Sequence, residues 1–276
     1  MSNLESVVSH YRQEDLIGKI LAGVERIGKT SNTVTVEDLA PVDEFHIGGR
    51  IATKSFLETL SLGKDEYVFD VGCGIGGTSR FVAHTYGCRV IGVDLMKEFI
   101  ETGETLCEML GLKQKVILTQ GNVLELDFAE ATFAKAFMLH VGMNISDKYG
   151  LMKEIGRVLK PGGVFGIYDV MRIGEGEVVY PVPWASDGKS SSLSSPETYR
   201  QALMEAGFKV VSKVNRGDFA LRFFEQVTAA TAISKTPSPL GLHILMGQEA
   251  GTKYGNMIQG IVEGKIAPFE LVAQKA

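Results

Sequence analysis

The stretch Val68-Phe69-Asp70-Val71-Gly72-Cys73-Gly74-Ile75-Gly76-Gly77 carries an apolar run to an acid, turns on glycines and then enters a helical pattern. Thr78 and Ser79 follow it, and their hydroxyls suit the cap of that helix. A strand, a glycine turn and a helix in that order expose bare backbone to a nucleotide-type ligand. Gly72, Gly74 and Gly77 also satisfy the GxGxxG dinucleotide fingerprint, so the turn alone does not choose between ligands.

Outward from the turn, short β-rich runs alternate with amphipathic stretches of helical length. Tyr67–Val71, Arg89–Val93, Lys115–Gln120, Thr132–Leu139, Val164–Val170, Phe208–Val214 and Pro268–Ala273 read as strands, with helices between most of them. Such a series predicts an α/β fold, a Rossmann-like doubly wound sheet of seven strands. Residues 1–62 read as a helical N-terminal cap, with helical spacing over 5–27 and again from Ser55 to Leu62. Between these stretches, Thr30–Thr35, Pro41 and the pair Gly48-Gly49 read as an ordered loop. Residues 63–276 form the main domain, interrupted by a Gly-, Pro- and Ser-rich loop over 171–195 and a helical insert over 219–264 before the last strand. Leu159-Lys160-Pro161-Gly162-Gly163 reads as a tight turn into the fifth strand.

The 276 residues carry 28 basic and 33 acidic side chains without long runs, which gives no electrostatic footprint for nucleic acid. Three scattered cysteines, Cys73, Cys88 and Cys107, suggest neither a disulfide framework nor a metal cage. Charged residues near the N-terminus and no apolar run of membrane-span length lead to the expectation of a cytoplasmic protein with no membrane span. The apolar run Leu240–Met246 offers a face for a homodimer.

Asp70 narrows the ligand. A carboxylate just before the glycine turn repels a diphosphate but favours a ligand bearing an ammonium and a sulfonium. S-adenosylmethionine carries both groups. Asp94, followed by Leu95, closes the second strand where an acid can accept from both ribose hydroxyls, and Asn122 with Val123 can read an adenine edge.

These residues resemble the small-molecule branch of the class I S-adenosylmethionine-dependent methyltransferases, which includes the ubiquinone/menaquinone, sarcosine/dimethylglycine and phosphoethanolamine methyltransferases. The resemblance is strongest over Tyr67–Val170. It implies an antiparallel last strand and a cofactor across the strand ends, touching Asp70, Gly72, Cys73, Gly74, Gly76, Asp94, Leu95, Asn122, Val123 and Leu139. Val42-Asp43-Glu44-Phe45-His46-Ile47-Gly48-Gly49-Arg50 is similar to the segment before the sheet in the sarcosine/dimethylglycine-type enzymes. That likeness implies that Gly49 lies against the cofactor and that Tyr11 lids the site. Where amine and phosphoethanolamine enzymes of this look carry an Asp and, four residues on, a His, this chain has His140 and Asn144.

The expected activity is methyl transfer from S-adenosylmethionine to a small-molecule acceptor, with a small amine slightly favoured over carbon or oxygen. His140 is the candidate base because imidazole titrates near neutrality and the residue ends a strand at the ligand edge. His46, Arg50, Asn144, Tyr180 and Trp184 are candidate substrate contacts, with His46 and Arg50 able to pair with local acids such as Asp43. Two alternatives are a nicotinamide-dependent oxidoreductase, which Asp70 disfavours, and a non-catalytic cofactor-binding regulatory protein.

Overall fold

A computed structural model describes residues 3–233 and 238–276. In the interior of its sheet runs β1 (Tyr67–Val71), whose Val68–Val71 are buried, as a strand covered on both faces requires. It pairs in parallel with β2 (Arg89–Asp94) and β4 (Phe133–Leu139), while β3 (Val116–Gln120) lies beyond β2 and β5 (Leu159–Arg172) beyond β4. The final strand, β7 (Ile266–Lys275), inserts antiparallel between β5 and β6 (Phe208–Asn215), giving the order β3-β2-β1-β4-β5-β7-β6. This is the seven-stranded sheet that the strand pattern predicts, with the antiparallel last strand that the resemblance implies.

Strand alternation divides the core. Phe69, Phe133, Met138 and Phe165 join Leu151 and Ile155 of α7 (Lys148–Val158) and Tyr199 and Leu203 of α8 (Pro196–Glu205). On the other face Val68, Val90 and Phe137 meet Phe56 of α4 (Gly49–Glu58), Phe81 of α5 (Gly77–Thr85) and Ile100 of α6 (Lys97–Met109).

The N-terminal region departs from the expected pattern. The helical spacing over 5–27 breaks into α1 (Asn3–Tyr11) and α2 (Leu16–Arg26), because Asp15 adopts a left-handed conformation and the Glu98 carboxylate accepts from the Gln13 and Leu16 amides. The expected loop around Pro41 contains α3 (Val36–Asp43), opened by a capping box in which Thr35 and Asp38 satisfy each other's backbone amides. The sequence signal for this helix is Thr35-x-x-Asp38, and Pro41 lies inside the helix that it opens.

Two further expectations change. Leu159–Gly163 is counted within β5, but between Leu159 opposite Phe133 and Val164 opposite Lys135 the chain loops out, with Gly162 at φ +73° after Pro161, so the expected turn sits inside the strand as an irregularity. The insert holds α9 (Gly217–Ile233), α10 (His243–Met246) and α11 (Ala250–Val262), and residues 234–237 of the expected segment lie outside the described residues, as do residues 1 and 2 of the cap. Among the described residues no helix is long and apolar enough to cross a membrane.

Candidate functional site

At the C-terminal ends of β1, β2 and β4 lies a cavity of about 430 Å³. The glycine turn forms its floor. Gly72, Gly74 and Gly76 all have positive φ (71°, 54° and 78°), a conformation that costs a side-chain-bearing residue about 1–2 kcal/mol. An added Cβ at Gly74 would meet nothing within 4 Å, so bare backbone faces open space there. Gly76 serves differently: it caps α5, packs against Leu118 and Arg80, and is absent from the cavity wall.

The helix cap expected of Thr78 and Ser79 is not formed. Ser79 is buried inside α5 and its hydroxyl donates to Asp70 Oδ2 at 2.6 Å. Burial pushes the Asp70 carboxyl up to about 7, against the opposing effect of that hydrogen bond. Asp94 accepts from the Gly74 amide at 2.8 Å and the Met96 amide at 2.9 Å, so one carboxylate fixes both the glycine turn and the start of α6. Its carboxyl is also raised by desolvation, partly offset by those amides. Asn122 Oδ1 accepts from the Leu124 amide at 3.1 Å, and Leu95, Asn122, Val123 and Leu139 complete this side of the wall. Cys73 also faces the cavity, its thiol held neutral by burial.

A second cavity, of about 1000 Å³, adjoins the first, and Tyr11, Phe45, His46 and His140 line both. His140 has φ +55° and donates its amide to the Tyr168 carbonyl at 2.7 Å, which turns its ring onto this shared wall. The ring sits 5.0 Å from that of Tyr168 and 5.9 Å from that of His46. Its Nε2 is buried without a hydrogen-bond partner. Burial, and then His46, hold the imidazole well below its usual range, so it is neutral. His46 Nε2 lies 2.8 Å from Thr53 Oγ1, and burial lowers this imidazole to about 3.

Tyr11 donates to Asn144 Oδ1 at 3.0 Å, and Asn144 Nδ2 donates to the carbonyls of Trp184 and Ser190 at 2.8 and 3.0 Å. His10 adds contacts to Ser186 Oγ and the Pro183 carbonyl at 2.7 and 2.9 Å. The leading helix, the end of β4 and the 171–195 loop are therefore tied into one roof.

Several candidates sit elsewhere than expected. Gly49 starts α4 and lines the second cavity, not the first, because the chain turns at Gly48 beneath Phe219. Arg50 pairs with Glu44 (2.5 Å) and Glu37 (3.5 Å) instead of Asp43, and stacks over Phe81 at 4.2 Å. Trp184 is buried in the second cavity's wall, whereas Tyr180 packs among its apolar neighbours and lines neither cavity.

The sequence reading also missed Asp43. It lines the first cavity, its Oδ1 accepts from Arg80 Nη2 at 2.6 Å, and its Oδ2 is buried with no partner. Arg80, fully buried, also donates to the Ile75 carbonyl at 2.6 Å, joining α3 to the glycine turn. Burial raises the Asp43 carboxyl to about 6 although Arg80 pulls it down.

The sheet order, its antiparallel last strand and the surrounding helices define the class I methyltransferase fold. Residues 68–163 match the methyltransferase domain family. Over 189 residues the chain is 32% identical to sterol 24-C-methyltransferase of Eremothecium gossypii, covering 65% of this chain and 50% of that one. Over 188 residues it is 30% identical to phosphoethanolamine N-methyltransferase 1 of Triticum aestivum, covering 68% and 37%. The chain thus spans half or less of the length of these relatives. Geranyl diphosphate C-methyltransferase from Streptomyces coelicolor A3(2), solved with S-adenosyl-L-homocysteine, superposes with TM-score 0.71 at 18% identity, covering 100% of this chain and 99% of that one.

Proposed function

We propose that this chain transfers a methyl group from S-adenosylmethionine to a small-molecule acceptor. The observation that carries the reading is the pair of cavities meeting at His140, one floored by open glycine backbone and flanked by carboxylates, the other large and apolar. The relatives support it, since their names describe methyl transfer to a sterol and to phosphoethanolamine.

The first cavity suits the donor residue by residue. Asp70 and the unpartnered Oδ2 of Asp43 offer negative charge to its ammonium, Asp94 offers acceptors to the ribose, and Asn122 with Val123 borders the adenine end. When bound, the donor supplies an electrophilic methyl on a sulfonium. His140 and His46 stand where the reacting ends would meet, while Tyr11, Asn144 and Trp184 hold the roof that keeps water out. The carboxylates at the turn oppose a nicotinamide dinucleotide, whose diphosphate would have to share the space.

Isothermal titration with S-adenosylmethionine and with NAD tests this directly. Saturable binding of the sulfonium compound, weakened at least about tenfold in Asp94→Ala, is expected. NAD binding with no uptake of S-adenosylmethionine would overturn the proposal.

A further inference from the structure

The second cavity is larger and more apolar than the small amine slightly favoured from the sequence would need. Its 1000 Å³ lies at the upper end of the roughly 300–1,000 Å³ typical of small-molecule pockets. Ile47, Met143, Trp184, Phe223, Phe224 and Met257 are among the apolar residues of its wall.

The charged groups among the described lining residues are already committed to one another. Arg50 Nη1 lies 2.5 Å from Glu44 Oε1 and Arg50 Nε lies 3.5 Å from Glu37 Oε2, while the Thr53 hydroxyl donates to Glu44 Oε2 at 2.5 Å. An ammonium entering this space would lose its hydration without gaining a free carboxylate, and an anion would find the guanidinium neutralised. Glu44 Oε1, Arg50 Nε and Arg50 Nη1 are buried without hydrogen bonds but lie in these ion pairs, whereas Nε2 of His140, on the wall shared with the first cavity, is buried with neither a hydrogen bond nor an ion-pair partner. In the tautomer protonated at Nδ1, that nitrogen accepts one hydrogen bond.

We infer that the second cavity takes a bulky, uncharged, largely apolar acceptor and presents its single acidic hydroxyl, phenolic or enolic, to Nε2 of His140. The inference rests on the methyl-transfer reading and names the substrate class of the same site. In the transfer, the hydroxyl oxygen forms a bond to the methyl carbon as the methyl–sulfur bond breaks. The sulfur keeps that electron pair and becomes a neutral thioether, and the hydroxyl proton passes to Nε2. One positive charge leaves the sulfonium and one appears on the imidazolium, so no net charge is created inside the pocket. A neutral but weakly basic imidazole suits an acidic hydroxyl and is a poor match for an aliphatic alcohol.

Trp184 is the single tryptophan of the chain and lines this cavity, so its fluorescence reports occupancy without turnover. Titrating the full chain with para-nonylphenol, nonylamine, nonyl phosphate and phenol should give a saturable Trp184 response to para-nonylphenol at least about tenfold tighter than to the other three. Ala40 lines the cavity from α3, and Ala40→Phe should abolish that response while calorimetric affinity for S-adenosylmethionine stays unchanged. His140→Asn, which suits the left-handed backbone, should retain both ligands but lower the rate of methyl ether formation about 10²-fold or more.

Equal or tighter binding of the amine or the phosphate overturns the substrate class. Binding of the phenol without methyl ether, or unchanged turnover in His140→Asn, overturns the role given to Nε2. Uptake of S-adenosylmethionine without a Trp184 response to the phenol sinks this inference alone, whereas no uptake of S-adenosylmethionine sinks the broader reading.

Discussion

The two cavities share a wall but are made in different ways. The first is assembled from strand ends and one turn, where backbone conformation and a few carboxylates set the chemistry. The second is assembled from α3, the 171–195 loop and the helices before β7, and its character comes from many apolar side chains with no single decisive residue. A site written in backbone geometry depends on its supports, whereas a site written in bulk side chains depends on the volume they leave.

The sharpest way to break this contrast is through the support beneath the first cavity. Arg80→Met leaves the Asp43 carboxylate buried without its cation and frees the Ile75 carbonyl. Removing one partner of such a pair typically costs about 3–5 kcal/mol, and a denaturant melt should show a loss of that order. A loss below about 1 kcal/mol, within the range of a surface pair, would show that the cap is not held through this contact.

A pH series separates the cavities by charge. The Asp70 carboxyl sits at about 7 in the folded chain against 3.8 for an ordinary aspartate. Its proton is therefore retained on folding, and the stability it contributes is full below the unfolded value and lost as pH rises through about 7. Asp169, buried and accepting from Tyr199, moves the same way, also at about 7. Thermal melts of the ligand-free chain should fall between about pH 5 and 8. Affinity for S-adenosylmethionine should instead rise about tenfold from about pH 6 to 8 as Asp70 ionises, with Asp70→Asn flattening the profile. The Trp184 response to an uncharged phenol should not follow that rise.

The smallest effect falls on the shared wall. Tyr11→Phe removes the hydrogen bond to Asn144 while keeping the ring, a change of about 1 kcal/mol. Calorimetry and Trp184 titration should both show a few-fold weakening, because Tyr11 borders both cavities. Weakening of one ligand alone would assign the latch to that side.

The same contrast explains what could be read from the sequence. The glycine turn, Asp70 and Asp94 were legible because a positive φ and a strand-end acid are local requirements that few residues meet. Ser79 was misread for the same local reason: its hydroxyl suits a cap, but the helix begins two residues earlier and the hydroxyl turns inward to Asp70. Asp43 was placed with its sequence neighbours His46 and Arg50, whereas its partner Arg80 stands 37 positions away. The second cavity was hidden because Pro41, Trp184, Phe224 and Leu240 are ordinary apolar residues until the fold brings them together.

The placement of β7 between β5 and β6 decides which segments can vary without disturbing the sheet. The connection after β5 runs through α8 to the edge strand β6, and the helical excursion after β6 returns to β7, which pairs antiparallel with both β5 and β6. Changes of length in these segments would leave β1 and β2, across the sheet, holding the glycine turn and Asp94 in register. The segments that wall the second cavity are thus separate in the fold from the strands that hold the glycine turn.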